Sequence, residues 1–205
     1  MISNNDNPLT SVVSYPQRGP YGDNSYRGNC SGYLVKDLIR HFKPVRVLDP
    51  MEGSGTTRDV CRECKVQYAG MDLKNGFDLV NDEITGTFDF VFFHPPYWDI
   101  IKYGGNRNDL SNSPTYDIFM GKLRICVSKL YEALERGGTL AILIGDKKKN
   151  GDLYPLFNEI INWRIGRLTQ IIIKEQHNMR SNETSYSGSF IPIHHEYVLI
   201  FRKET

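Results

Sequence analysis

Two short clusters of residues carry the chemistry this sequence can perform. The first is Asp49-Pro-Met-Glu52-Gly53-Ser54-Gly55-Thr56, an acidic residue followed by a Gly-x-Gly turn. Glycines at 53 and 55 remove the Cβ atoms that would keep a ligand off the backbone. The run lacks the third glycine of a dinucleotide fingerprint and the Lys-Ser/Thr of a phosphate loop. A ligand carrying an amino acid and adenosine, without phosphate, suits it better. Asp72 lies 23 residues beyond Asp49, and an acid about 20 residues past such a turn can accept ribose hydroxyls. Asp78 follows and could accept from an adenine amino group. Taken alone, the Gly-x-Gly is as readily a plain turn with ordinary loop aspartates.

The second cluster is His94-Pro95-Pro96-Tyr97. Two consecutive prolines at a strand end make a rigid, extended corner without N–H donors, so carbonyls there can face outward as acceptors. That suits an exocyclic amino group, and Tyr97 offers a π-face on which an extruded base could stack. A neutral imidazole at 94 has one acceptor nitrogen and one donor. A structural Pro-Pro turn is the competing interpretation.

These clusters need elements to hold them. Residues 1–29 are polar and turn-rich and read as a loop-like N-terminal arm. Apolar residues at 34, 35, 38, 39 and 42 predict a helix that Pro44 ends. Strands are predicted at Val45–Pro50, Gln67–Asp72, Phe88–Phe93, Thr139–Gly145, Arg167–Lys174 and His195–Arg202. Phe88–Phe93 is almost continuously apolar and so buried on both faces. Helices are predicted from the glycine turn to about Cys64, from Tyr116 to Glu135, and from Leu153 to Trp163. The second presents Ile118, Phe119, Leu123, Ile125, Cys126, Leu130 and Leu134, with Gly137-Gly138 as its stop. Strands alternating with helices imply an α/β fold, mostly parallel, with helices on both faces and an antiparallel C-terminal strand. The 205 residues are read as one domain.

The net charge of +1 does not make the chain a polycation, so positive charge for a nucleic acid must be local or supplied by a partner. Two polar excursions could meet a substrate: residues 104–113, and residues 177–186, which join the last two strands. Lys147-Lys-Lys149 reads as a solvated charge run, or as a phosphate contact given its end of the sheet. Cys61 and Cys64 form a lone CxxC and read as a helix face rather than a zinc or redox site. His194-His195 has no third ligand at metal spacing, and no metal is expected. No apolar run reaches bilayer length, and the N-terminus lacks a signal-peptide layout, so a cytoplasmic location is the default expectation.

With both clusters in view, the chain resembles the amino-methylating DNA methyltransferases, which make N6-methyladenine or N4-methylcytosine. The likeness rests on Asp49-Pro-Met-Glu-Gly-Ser-Gly-Thr56 with His94-Pro-Pro-Tyr-Trp98. Tyr26-Arg-Gly-Asn29-Cys-Ser31-Gly, Trp98-Asp-Ile-Ile-Lys-Tyr-Gly104 and His195-Glu-Tyr-Val-Leu-Ile-Phe-Arg202 add to it. It spans roughly residues 14–202 and implies a Rossmann-like methyltransferase fold. It also implies S-adenosyl-L-methionine as cofactor, held by Asn29, Ser31, Asp49, Glu52, Gly53, Ser54, Gly55, Thr56, Asp72 and Asp78. His94, Pro95, Pro96 and Tyr97 would act on a flipped base amine, adenine N6 ahead of cytosine N4, as in restriction-modification. The family pattern is (D/N/S)PPY, so His94 is a departure. Two alternatives stay open: an RNA guanine-N2 or protein glutamine methyltransferase, and a catalytically weak subunit that binds DNA or a partner. No separate target-recognition domain fits in the chain, so readout falls to loops, a homodimer or a partner subunit.

Overall fold

The computed structural model describes residues 8–177 and 191–204. Its centre is a seven-stranded sheet in the order β1-β8-β9-β5-β4-β2-β3. The strands are β1 (Val12–Ser14), β2 (Arg46–Asp49), β3 (Gln67–Gly70), β4 (Phe88–Phe93), β5 (Leu134–Ile144), β8 (Arg167–Glu175) and β9 (His195–Arg202). β9 runs antiparallel to both β5 and β8, and the remaining pairings are parallel. A separate hairpin pairs β6 (Lys147–Lys149) with β7 (Asp152–Tyr154).

Alternation along the central strands builds two cores, one on each face. Val47, Phe90, Phe92, Ala141, Leu143, Val198 and Ile200 pack with α1 (Gly32–Phe42) and α2 (Thr56–Cys64). Leu48, Val91, Phe93, Leu140, Ile142 and Leu199 pack on the other face with α3 (Tyr116–Glu132) and α4 (Leu156–Asn162). β4 is buried on both sides but for Asp89, as its almost continuous apolar run requires. Cys61 is fully buried in the first core, and all four cysteines are free.

Several sequence expectations need correction. The arm is not wholly loop-like: Val12–Ser14 adds an edge strand to β8, because an extended β-branched pair can complete a ladder that Arg167–Glu175 leaves open. α3 ends at Glu132, not Glu135, and Leu134 already belongs to β5. Gly137, at φ +73°, therefore sits where β5 departs from its register with β4, rather than stopping the helix. Ile118 and Ile125 of the expected apolar side are 44% and 45% exposed. The helix predicted from Leu153 starts only at Leu156, since β7 takes Asp152–Tyr154.

Candidate functional site

Every parallel strand ends at the same edge of the sheet, and β9, being antiparallel, begins there. Two clefts open at this edge, as expected of α/β sheets. The first, of about 320 Å³, lies over β2 and β3. The second, of about 620 Å³, lies over β8, β9 and the turn after β5. Gly28, Asn29, Cys30, His94 and Tyr103 line both, so His94 stands in the shared wall.

The first cleft is acidic. Asp49, Glu52, Asp72, Asp78 and Asp109 face it, against a single lysine, Lys74. The turn from β2 into α2 needs glycine for backbone reasons as well as for ligand access: Gly53 and Gly55 sit at φ +52° and +85°, which residues with a Cβ rarely adopt. Asp72 braces that turn, accepting from the Gly53 N–H at 2.8 Å and the Lys74 N–H at 2.9 Å. The Lys74 ammonium donates to the Gly53 carbonyl. Asp78 accepts from the Val80 N–H and the Asn81 side chain. Glu52 is held by Arg58 at 2.7 Å. The apolar part of the wall is Met51, Phe77, Leu79 and Leu110.

Asp49 differs from its neighbours. It is buried, and although it accepts from the Met51 N–H at 3.1 Å, burial pushes its carboxyl up to about 7. Bonds from Thr57 and the Met51 N–H oppose the rise, and the charges of Glu52 and Asp72 add to it. A cation entering the cleft would relieve this.

The structure brings Asn29, Asp49, Glu52, Gly53, Ser54, Thr56, Asp72 and Asp78 to the first cleft, with a hydrogen bond from Thr56 to Asn29. It places two other expected residues elsewhere. Ser31 precedes α1 with its hydroxyl committed to the Gln17 carbonyl at 3.0 Å, and it faces the second cleft. Gly55 caps α2 without lining the cleft. Pro96 faces the first cleft, and Pro95 and Tyr97 face the second.

The second cleft carries Arg18, Arg27, Lys147, Lys148 and Lys174 against Asp146 and Glu196. Arg18 and Arg27 are exposed. Lys147-Lys-Lys149 is not a solvated run: Lys147 is buried over the Trp98 ring at 4.5 Å, and Lys147 and Lys149 both pair with Asp99. Trp98 itself sits at φ +52°, a strained turn out of the Pro-Pro corner. Lys148 donates to the Ile191 carbonyl at 2.6 Å. Of the two polar excursions, residues 104–113 turn toward the first cleft through Gly104, Asn106, Asn108, Asp109 and Leu110. Only His177 of the other lies among the described residues, and it faces the second cleft.

Behind His94 runs a polar chain, half-buried at Tyr97 and buried at Glu196 and Lys174, that sequence reading missed. Its Nε2 lies 2.9 Å from the Tyr97 hydroxyl, which donates to Glu196 Oε1 at 2.7 Å. Glu196 Oε2 accepts from Lys174 at 2.6 Å. Lys174 and Glu196 are cross-strand partners in β8 and β9. Gly145, just after β5, lets the Tyr97 ring seat, since a Cβ there would stand 2.7 Å from Tyr97 Cε2. Burial pushes the His94 imidazole down to about 4, with Glu196 opposing and Lys174 adding. The Glu196 carboxyl is lifted by burial, yet Lys174, His94 and the hydrogen bonds bring it below its usual range. His94 is thus a neutral imidazole at neutral pH, and Glu196 a carboxylate. A buried glutamate in the last strand, at the second position of His195-Glu-Tyr, was the available signal.

Among the described residues no group of three or more His, Cys, Asp or Glu side chains could hold a metal ion, and no helix is long and apolar enough to cross a membrane.

No protein-family model matches the sequence, and no curated protein matches it. Solved structures do match. An S-adenosylmethionine-dependent methyltransferase from Archaeoglobus fulgidus superposes with a TM-score of 0.50 at 15% identity, over 86% of this chain and 96% of that one. A candidate DNA modification methylase from Thermus thermophilus, solved with S-adenosyl-L-methionine, gives 0.44 at 21% identity over 78% of this chain and 56% of that one. TrmN from the same organism gives 0.47 at 16% identity over 86% and 50%. This chain spans about half the length of the Thermus proteins. The first likeness establishes the fold: a Rossmann-like methyltransferase architecture with a C-terminal antiparallel strand.

Proposed function

We propose that this protein is a methyltransferase that uses S-adenosyl-L-methionine to methylate an exocyclic base amine of DNA, adenine N6 before cytosine N4. The observation that carries this reading is the meeting of an acidic cleft and a basic cleft at His94-Pro95-Pro96.

The first cleft fits the cofactor. Five carboxylates suit a ligand that is cationic at its sulfonium and its amino group, and the Met51, Phe77, Leu79 and Leu110 wall suits an adenine ring. Asp49, Glu52 and Asn29, beside the glycine turn, would hold the amino-acid end. Asp72 has a lone pair to spare on each oxygen after bracing the turn and would accept ribose hydroxyls, with Asp78 toward the adenine. When bound, the cofactor supplies an electrophilic methyl group.

The chain's own contribution is positioning and desolvation. The neutral His94 would accept one hydrogen of the target amine, and the Pro95 carbonyl the other, turning the nitrogen lone pair out of conjugation. With its hydroxyl committed to His94 and Glu196, Tyr97 has a ring face left to offer a base. Arg18, Arg27 and Lys148 at the second cleft would meet the phosphates flanking an extruded nucleotide. The basic cleft favours a polyanionic substrate over a small molecule or a protein glutamine, which needs no such lining.

The test is to supply the purified chain with methyl-labelled cofactor and DNA, RNA or protein, then digest the nucleic acid to nucleosides and weigh them. N6-methyldeoxyadenosine is the expected product. Label appearing only in RNA guanine or in protein would replace the substrate, and cofactor binding without transfer to anything would return the chain to a partner-subunit role.

A further inference from the structure

We propose that Tyr97 and Glu196 are positioning residues that hold His94 in the tautomer with the proton on Nε2, leaving Nδ1 as its acceptor. What Nδ1 is used for, accepting a hydrogen of the target amine, rests on the methyl-transfer reading above. The tautomer itself rests on the polar chain alone.

The reasoning is a count of hydrogens. Lys174 has donors only, and an ionised glutamate has acceptors only. Lys174 donates to Glu196 Oε2 at 2.6 Å, and Tyr97 spends its single hydroxyl hydrogen on Glu196 Oε1 at 2.7 Å. The Tyr97 oxygen then presents a lone pair to His94 Nε2 at 2.9 Å. Only a protonated Nε2 makes that contact a hydrogen bond. The opposite tautomer would set two lone pairs against each other at that distance and forfeit the hydrogen bond, which disfavours it roughly tenfold or more. The direction of every bond follows from one charge placement, the Lys174–Glu196 pair, 9–10% exposed at the two side chains. That pair is set by the β8–β9 register. Tyr103 and Cys30 also approach Tyr97. Each keeps its own proton at neutral pH, because burial pushes both up to about 12, so neither reverses the chain.

Such a chain has a sense that can be inverted. In Glu196→Gln, Lys174 claims the amide oxygen, so the amide NH₂ turns to Tyr97 and donates. Tyr97 then donates to His94 Nε2, and the ring proton moves to Nδ1. The acceptor offered to a substrate becomes a donor, although size and shape are unchanged.

Histidine-selective ¹⁵N labelling reads this directly, with the His94 signals identified by their loss in His94→Gln. At pH 7 the unliganded wild-type chain should show Nε2 protonated and Nδ1 bare. Glu196→Gln should show the reverse, and Tyr97→Phe, which removes the hydroxyl, a mixture. If Glu196→Gln does not fold, Tyr97→Phe carries the test. Wild-type protein with Nδ1 protonated, or one unchanged pattern in every variant that folds, would overturn the proposal. Turnover separates it from the functional reading. The wild-type tautomer found as stated in a chain that methylates nothing defeats the reading and leaves the positioning intact. In an active chain, Glu196→Gln should lower kcat at least tenfold with KM changed less than threefold. An equal loss in both parameters would point to a structural role.

Discussion

The two clefts at the carboxyl edge of the sheet are built from opposite materials. The acidity of the first is a local product: a glycine turn, the end of the next strand and a following turn, all between Asp49 and Asp78, supply four of its five acids, Asp49, Glu52, Asp72 and Asp78. The second gathers residues from Tyr15 to Glu196 and reaches its positive charge only after six segments have come together. Net charge is blind to this, because the acids of one cleft offset the bases of the other within a total of +1. A near-neutral protein can therefore still present a polyanion with a local field of the right sign.

The sharpest way to break the comparison is at the wall the clefts share. His94→Ala should lower methyl transfer by about 10²–10⁴, the range for a lost, positioned acid–base or acceptor group. Cofactor affinity, measured by calorimetry, should change far less, since the acids of the first cleft remain. An equal loss of both would mean that His94 serves the cofactor alone.

A second substitution acts on the acidic cleft. Asp72→Ala unbraces the Gly53 N–H and removes the carboxylate proposed to accept the ribose hydroxyls, a loss of about 1–3 kcal/mol for hydrogen bonds to a charged group and so roughly 5–150-fold in cofactor affinity. Binding of an oligonucleotide at the other cleft should stay within a factor of about two of wild type, with fluorescence anisotropy as the check.

Asp49 links the acidic cleft to pH. Its folded-state carboxyl lies near 7, above the ordinary value of 3.8, so the free protein holds a proton there that a cationic ligand would expel. Cofactor affinity should therefore rise about tenfold from pH 6 to pH 8 as the carboxylate forms, and calorimetry in two buffers should detect the released proton. Asp49→Asn should flatten that slope. The same raised value means that Asp49 favours the folded state fully below about pH 4 and that this contribution is lost as pH rises through 7. Asp49→Asn should then gain thermal stability relative to wild type as pH increases.

The smallest expected effect belongs to the basic cleft. Replacing Arg18 and Arg27 with Ala should weaken oligonucleotide binding and reduce the dependence of log K on log salt by about 2, one unit per phosphate contact. Cofactor affinity should not move. An unchanged salt slope would put the nucleic acid elsewhere.

Much of the fold was legible along the chain, and the reasons are local. The run Phe88–Phe93 is apolar enough to be a strand buried on both sides, and it is one. The 34, 35, 38 and 39 spacing of α1 buries those four positions. Misreadings arose where two local signals competed. Gly137-Gly138 looks like a helix stop, but the chain had already turned at Ala133, and Gly137 instead takes up a register change inside β5. Lys147-Lys-Lys149 looks like a solvated run, but Trp98 and Asp99 give it an apolar face and a counter-charge that cannot be seen from its own neighbours.

The sequence by itself determined the elements of the acidic cleft, because a turn that demands glycine and an acid at a strand end are written in consecutive residues. It also placed His94 and the two prolines at the end of a buried strand, Phe88–Phe93. Only the tertiary structure decided what His94 can do. Tyr97 and Glu196 are 99 positions apart, and Lys174 meets Glu196 only through the β8–β9 register. Strand register is settled by the hydrophobic pattern of whole strands, and burial then turns two unremarkable charges into the pair that orients a histidine.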